Sequence, residues 1–106
     1  MTSLPSSKKP KKPRLFLVRR VLGDSMVPTL VPGMVVLGIR TKKVRPGDVV
    51  VFWHEGRDKI KRVKDVQYNK VFLEGDNPMQ STDSRDFGWL ELETILARVV
   101  WPKARA

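Results

Sequence analysis

An all-β fold, a single barrel-like domain of short and mostly antiparallel strands, is predicted by three observations on the 106-residue chain. No segment sustains a helical period over about 11 residues. Apolar runs are short and rich in β-branched and aromatic residues, as in Val49-Val50-Val51-Phe52-Trp53. Turn residues recur between these runs at about 8–12-residue intervals, the rhythm of small sandwiches and barrels. The length suits one domain with a modest core.

Each element follows from its punctuation. Residues 1–13 hold three prolines, three serines and four lysines without periodicity, which predicts a basic disordered tail. The folded domain is expected over 14–106. Leu15 to Leu22 is a strand candidate. Pro32-Gly33 and Pro46-Gly47 mark turns, with a strand over Met34 to Ile39 and a basic loop over Thr41 to Arg45 between them. Asp48 to Trp53 is the clearest buried strand. Glu55 to Asp58 reads as a hairpin turn into Lys59 to Val66, and Tyr68 to Lys70 turns into Val71 to Glu74. Glu91 to Thr94 predicts a helical turn, and Ile95 to Trp101 a last strand that Pro102 stops.

Charge and composition exclude several function classes. The formal charge is +10, but residues 1–20 carry seven of the 21 Lys and Arg and no acid. The other 86 residues are only +3, so the excess is a tail property. Such a tail makes weak contacts with anionic surfaces, about 1 kcal/mol per basic residue near an anionic membrane. No nucleic-acid-binding signature accompanies it, and no specific nucleic-acid partner is expected. Without cysteine there is no disulfide framework or thiolate metal site. No apolar run approaches the ~18–20 residues of a membrane span, and no ~7–15-residue apolar stretch of a secretory signal follows the basic start. A cytoplasmic location, soluble or peripherally membrane-associated, is the expectation.

Two loops invite a functional reading, although the residues of the first are also those of an ordinary loop. Gly23-Asp24-Ser25-Met26-Val27-Pro28-Thr29-Leu30 holds a serine between a glycine, which accepts unusual backbone angles, and a proline that fixes its own. That bend can present a hydroxyl at a surface cleft. The segment from Gly75 to Gly88 is long and polar. Between the loops, Ile60-Lys61-Arg62-Val63 sets a lysine in an apolar, strand-like context. Taken alone, that lysine reads better as one of several on a solvated face with Lys59, Arg62 and Lys64.

In this order, Ser-Met-x-Pro-Thr-Leu, Lys-Arg-Val, Gly-Asp-Asn, Ser and Asp-Ser-Arg resemble the boxes of the signal peptidase I family of Ser-Lys serine proteases, across residues 18–100. The resemblance implies a compact β catalytic core, Ser25 as nucleophile and Lys61 as its general base. It implies that Ser81 hydrogen-bonds and orients the lysine, and that Met26 and Pro28 belong to the substrate cleft. Arg62, Asp76, Asn77, Asp83 and Arg85 become supports, with Arg62–Asp76 and Arg85–Asp83 as ion pairs and a local side-chain hydrogen bond from Asn77. Gly75 and Gly88 are expected at backbone turns. The Ser25 N–H is the first oxyanion donor expected. Some relatives supply a second from a serine where this chain has Gly23, a departure from the pattern.

The chemistry is consistent with these roles. A hydroxyl needs a base during attack. An amine of ordinary pKa about 10.4 can act only where burial lowers it. His54, the sole histidine, leaves a Ser-His-Asp triad conceivable, although a single histidine is more often a packing residue. The tryptophans read as core or rim packing.

The resemblance implies a serine endopeptidase that removes an N-terminal leader from a precursor protein, cutting after small residues with the substrate extended along a strand edge. Small size and the missing anchor are similar to the short branch that matures nickel-type superoxide dismutase. Nickel would belong to the substrate; no cofactor and no metal site are expected here. The alternatives are a general type I signal peptidase acting at the membrane, a repressor-type self-cleaving peptidase, and a non-catalytic β-barrel binding module.

Overall fold

The computed structural model describes residues 14–105. The predicted tail, residues 1–13, lies outside the described residues. Seven strands occupy Phe16–Arg20 (β1), Val35–Ile39 (β2), Val49–His54 (β3), Arg57–Gln67 (β4), Lys70–Glu74 (β5), Leu90–Glu91 (β6) and Ile95–Trp101 (β7). They form one antiparallel sheet in the order β1-β2-β7-β3-β4-β5-β6. All-β is therefore correct. The sheet is open, however, because β1 and β6 end it and do not pair with each other, so "barrel-like" describes its curl only loosely.

That curl has local causes. The ladders slip between Leu37 and Gly38, between Val51 and Phe52, and between Val63 and Asp65. Each irregularity bends its strand and increases the twist. Apolar side chains then cover both faces of the centre. Val50 and Phe52 of β3 join Val63, Val71, Leu73 and Ile95 in one cluster. Val49 joins Val21, Met26, Leu30 and Val36 in a second, and Val51 joins Leu17 and Ala97 in a third. The continuous apolar run of β3 is explained by its alternate residues feeding opposite clusters, as in any strand buried on both sides.

The turns are tighter than the sequence predicts. Glu55 and Gly56 alone connect β3 to β4, at φ 52° and 81°, and His54 already pairs with Arg57. Positive φ at both positions gives the twist that suits a two-residue hairpin. A four-residue helix, Ser84–Phe87 (α1), was not expected from the sequence, nor was the short β6. The expected helical turn near Glu91 is a 3-10 turn at Leu92–Thr94. No helix among the described residues is long and apolar enough to cross a membrane.

Candidate active site

Ser25 is held out of the core by its neighbours. Met26 and Leu30 are buried at 1% and 0% exposure, and the Leu30 N–H donates to the Met26 carbonyl at 2.9 Å. This anchors both ends of the turn and leaves Ser25 at the surface. Gly23, at φ 76° with open space around it, starts the turn in a conformation that disfavours other residues.

The polar segment after β5 closes over this turn. The Asn77 N–H donates to the Ser25 carbonyl at 2.8 Å, and Asn77 Nδ2 donates to the Asp24 carbonyl at 3.1 Å. Thr29 Oγ1 donates to Asp76 Oδ2 at 2.6 Å. The Asn77 side chain thus bonds across 53 positions and is not a local turn contact. Nor is Gly75 a turn glycine: a Cβ there would lie 2.6 Å from the Ser25 carbonyl oxygen and 2.7 Å from Ser81 Cβ. Its missing side chain is what lets the two loops touch. Thr29 was not singled out from the sequence; its partner lies 47 positions away, and nothing local announces it.

Lys61 reaches the turn from the middle of β4. Its Nζ donates to Ser25 Oγ at 2.8 Å, and the residue is only 7% exposed. The register sets Lys61 opposite the fully buried Val50, and Val63 follows two residues on along the same face. Burial holds the Lys61 ammonium below the usual lysine range. Asp83 opposes that shift, while the cations of Lys59, Arg57 and Arg85 add to it.

Two carboxylates brace the surroundings. Burial opposes ionisation of Asp83, which has no exposed surface, but hydrogen bonds outweigh it and hold its pKa far below the carboxylate norm. They come from Arg85 Nε and NH2 at 2.9 and 2.5 Å, Ser81 Oγ at 2.5 Å and the Gly75 N–H at 2.8 Å. Asp83 also caps α1, and Gly88 ends it. Asp76 behaves similarly: burial raises its pKa, and Arg62 and Thr29 lower it further than that. Arg62 grips Asp76 with Nε at 2.8 Å and NH2 at 2.7 Å, and its NH1 donates to the Gly47 and Ala104 carbonyls. Both ion pairs anticipated from the sequence are formed.

Other residues depart from the expectation. The Ser81 hydroxyl donates to Asp83 and makes no hydrogen bond with Lys61. Asp83 offers the stronger acceptor two residues away, so Ser81 bears on Lys61 only through that carboxylate. Pro28 is exposed and lines neither groove at Ser25, whereas Met26 is mostly core and reaches the larger groove. His54 stacks on Phe87 at 4.3 Å and lies 3.0 Å from Lys59 Nζ, with no hydrogen bond to Ser25. All three tryptophans are rim residues, exposed by 40% to 61%.

Open space meets Ser25 and Lys61 on two sides. A groove of about 540 Å³ runs past Arg19, Leu22, Trp53, Asp58, Ser25 and Lys61. A smaller one of about 230 Å³ lies between Gly23, Ser25, Lys61, Gln80 and Thr82. Among the described residues no acceptor takes the Ser25 N–H, which leaves that donor for an incoming carbonyl oxygen. A polypeptide laid through both grooves would pass the hydroxyl, the amine and this N–H together.

The family model of Peptidase S24-like proteins matches residues 2–100. The chain belongs to the Peptidase S24-like family. A comparison with curated proteins finds no match. Membership in the S24-like family supports the wider S24 and signal peptidase-like grouping to which the sequence boxes point, a level above the dismutase-maturing branch. In an S24-like chain the serine, the lysine and the two braced loops are the natural place to seek chemistry.

Proposed function

We propose that this protein is a serine endopeptidase in which Ser25 is the nucleophile and Lys61 its general base. The observation that carries the reading is the 2.8 Å line between Lys61 Nζ and Ser25 Oγ at a lysine removed from water. It falls within the ~2.6–3.2 Å reach that proton transfer needs. With the amine neutral, the hydroxyl donates along the same line to the nitrogen lone pair. Lys61 takes the proton as Oγ bonds to the scissile carbonyl carbon, and the carbonyl oxygen becomes an oxyanion facing the Ser25 N–H. As the C–N bond breaks, the ammonium returns its proton to the leaving amine, leaving an acyl-enzyme. Water, deprotonated by Lys61, then adds to the ester carbonyl; the C–Oγ bond breaks, and Oγ takes the proton back. Asp83, Ser81 and Arg85 act as positioning residues around the lysine, and Arg62, Asp76 and Asn77 around the serine turn.

The substrate we favour is a precursor protein with an N-terminal leader, a nickel-type superoxide dismutase precursor above others. The sequence boxes support that choice. Co-expression with such a precursor tests it by intact mass. The wild type shortens the precursor by its leader; Ser25→Ala and Lys61→Ala each lower the rate by roughly 10⁴-fold or more. A shortened peptidase chain in its own spectrum, with intact precursor, would favour the self-cleaving reading instead. Cleavage that persists in both variants would remove Ser25 and Lys61 from the mechanism.

A further inference from the structure

Arg57, Lys59 and Lys61 alternate along β4, so the strand sets all three on one face. Lys61 is buried against Ser25. Lys59 Nζ donates to Glu55 Oε1 at 3.1 Å and contacts His54. Arg57 differs: it is exposed, and its guanidinium has no hydrogen-bond or ion-pair partner among the described residues. It nevertheless borders both grooves that meet at Ser25. The other arginines of the larger groove are occupied. Arg19 is paired with Asp58, and Arg20 donates to the Gly33 carbonyl at 3.0 Å.

An unengaged guanidinium at the junction of two substrate-sized grooves is a planar fork suited to a carboxylate. We propose that Arg57 is a specificity-determining residue that takes a substrate carboxylate, so that preferred substrates carry Asp or Glu close to the scissile bond. This rests on the peptidase reading above and adds the substrate class. Four strand positions separate Arg57 from Lys61, ~13 Å at ~3.3 Å per residue, so the acid lies within about four residues of the cut. Lys59 is already paired with Glu55, so Arg57 is the cation left for a substrate anion, and a substrate lysine in the same place meets its like charge.

The probe is a synthetic peptide library with Ala at the centre and three to four varied positions on each side. One arm measures cleavage by the wild type, with products read by mass spectrometry. The other measures binding to Ser25→Ala through the fluorescence of Trp53, which lines the larger groove. Peptides with Glu are favoured over the same peptides with Gln by about three- to fivefold in both arms, the scale of an exposed ion pair. Preference is lost in Arg57→Ala, retained in Arg57→Lys, and reversed toward Lys-bearing peptides in Arg57→Glu, a reversal that a merely structural arginine would not produce. Equal binding of Glu, Gln and Lys peptides, or an acid preference unchanged in Arg57→Glu, overturns the proposal. Acid-selective binding with no cleavage of any peptide would instead overturn the peptidase reading and leave the role of Arg57 standing.

Discussion

At the scale of single residues, the protonation of Lys61 is the quantity on which the proposed chemistry turns. Burial removes water from the ammonium, and the positive charges of Lys59 and Arg57 disfavour it further; only Asp83 pulls the other way. Only the neutral amine can accept the serine proton, so kcat/KM rises with pH along a limb whose midpoint lies below the ordinary lysine value of 10.5. Removing a neighbouring cation relieves part of the shift and raises the Lys61 pKa. Lys59→Gln therefore moves this limb to higher pH, and pH–rate profiles of the two proteins measure it. A limb that stays in place would mean that Lys61 is not the titrating base. Lys61 was not legible from its own segment, where five cations crowd the first eight residues of β4. The strand period separates them: Lys59 and Lys61 share a face, and Arg62 and Lys64 take the other. The open guanidinium of Arg57 was not legible at all, because what distinguishes it is the partners its neighbours have found elsewhere in the fold.

At the scale of elements, the serine turn is a surface loop made rigid by a second loop. Two glycines test that separately from general packing. At Gly75 a Cβ would press on the Ser25 carbonyl oxygen at 2.6 Å, a backbone atom that can retreat only by moving the nucleophile. At Gly38 it would press on Ala97 Cβ at 2.9 Å, where β2 meets β7 away from the grooves. Both substitutions overpack and cost ~1–3 kcal/mol of stability, measured by urea denaturation. Gly75→Ala also lowers kcat by about 10²-fold, the effect of ~1 Å of misplacement at a reacting group. Gly38→Ala leaves kcat per folded molecule near the wild-type value. Equal kcat in the two would show that the loop contact does not position Ser25. Strands were read well from sequence because burial on β3 and alternation elsewhere are local signals. The helix Ser84–Phe87 was not, since four residues are too few for a helical period and its stability comes from the Asp83–Asp86 capping box. The docking of Asn77 on Asp24 and Ser25 was equally hidden, as a contact of distant positions that polar loop composition alone cannot specify.

At the scale of the whole molecule, the last strand of the described residues, β7, is an interior one. β7 lies between β2 and β3, so the β1–β2 pair joins the rest of the sheet only through Ile95–Trp101, and the two halves of the site meet across that strand. That topology leaves the loops over Ser25 attached to β4 and β5 through charged pairs, which links integrity of the fold to pH. Asp83 and Asp76 both have pKa values below their ordinary 3.8, because the arginines and donors around them favour the ionised form. As pH falls through 3.8, the unfolded chain takes up protons that the folded carboxylates still refuse, and the equilibrium moves toward unfolding. Their contribution is complete above that value and is lost below it, most steeply for the fully buried Asp83. Urea denaturation from about pH 2 to pH 6 should show stability falling with acid in the wild type and a flatter slope in Asp83→Asn. The variant should also be weaker at neutral pH by about 1–3 kcal/mol, since the Gly75 N–H and the Ser81 hydroxyl lose a charged acceptor. Where that loss prevents folding, Asp76→Asn gives the same test in milder form, because the Asp76 side chain is 17% exposed whereas that of Asp83 is fully buried. Wild-type and variant slopes that coincide below pH 3.8 would mean that neither carboxylate carries the acid sensitivity of the fold.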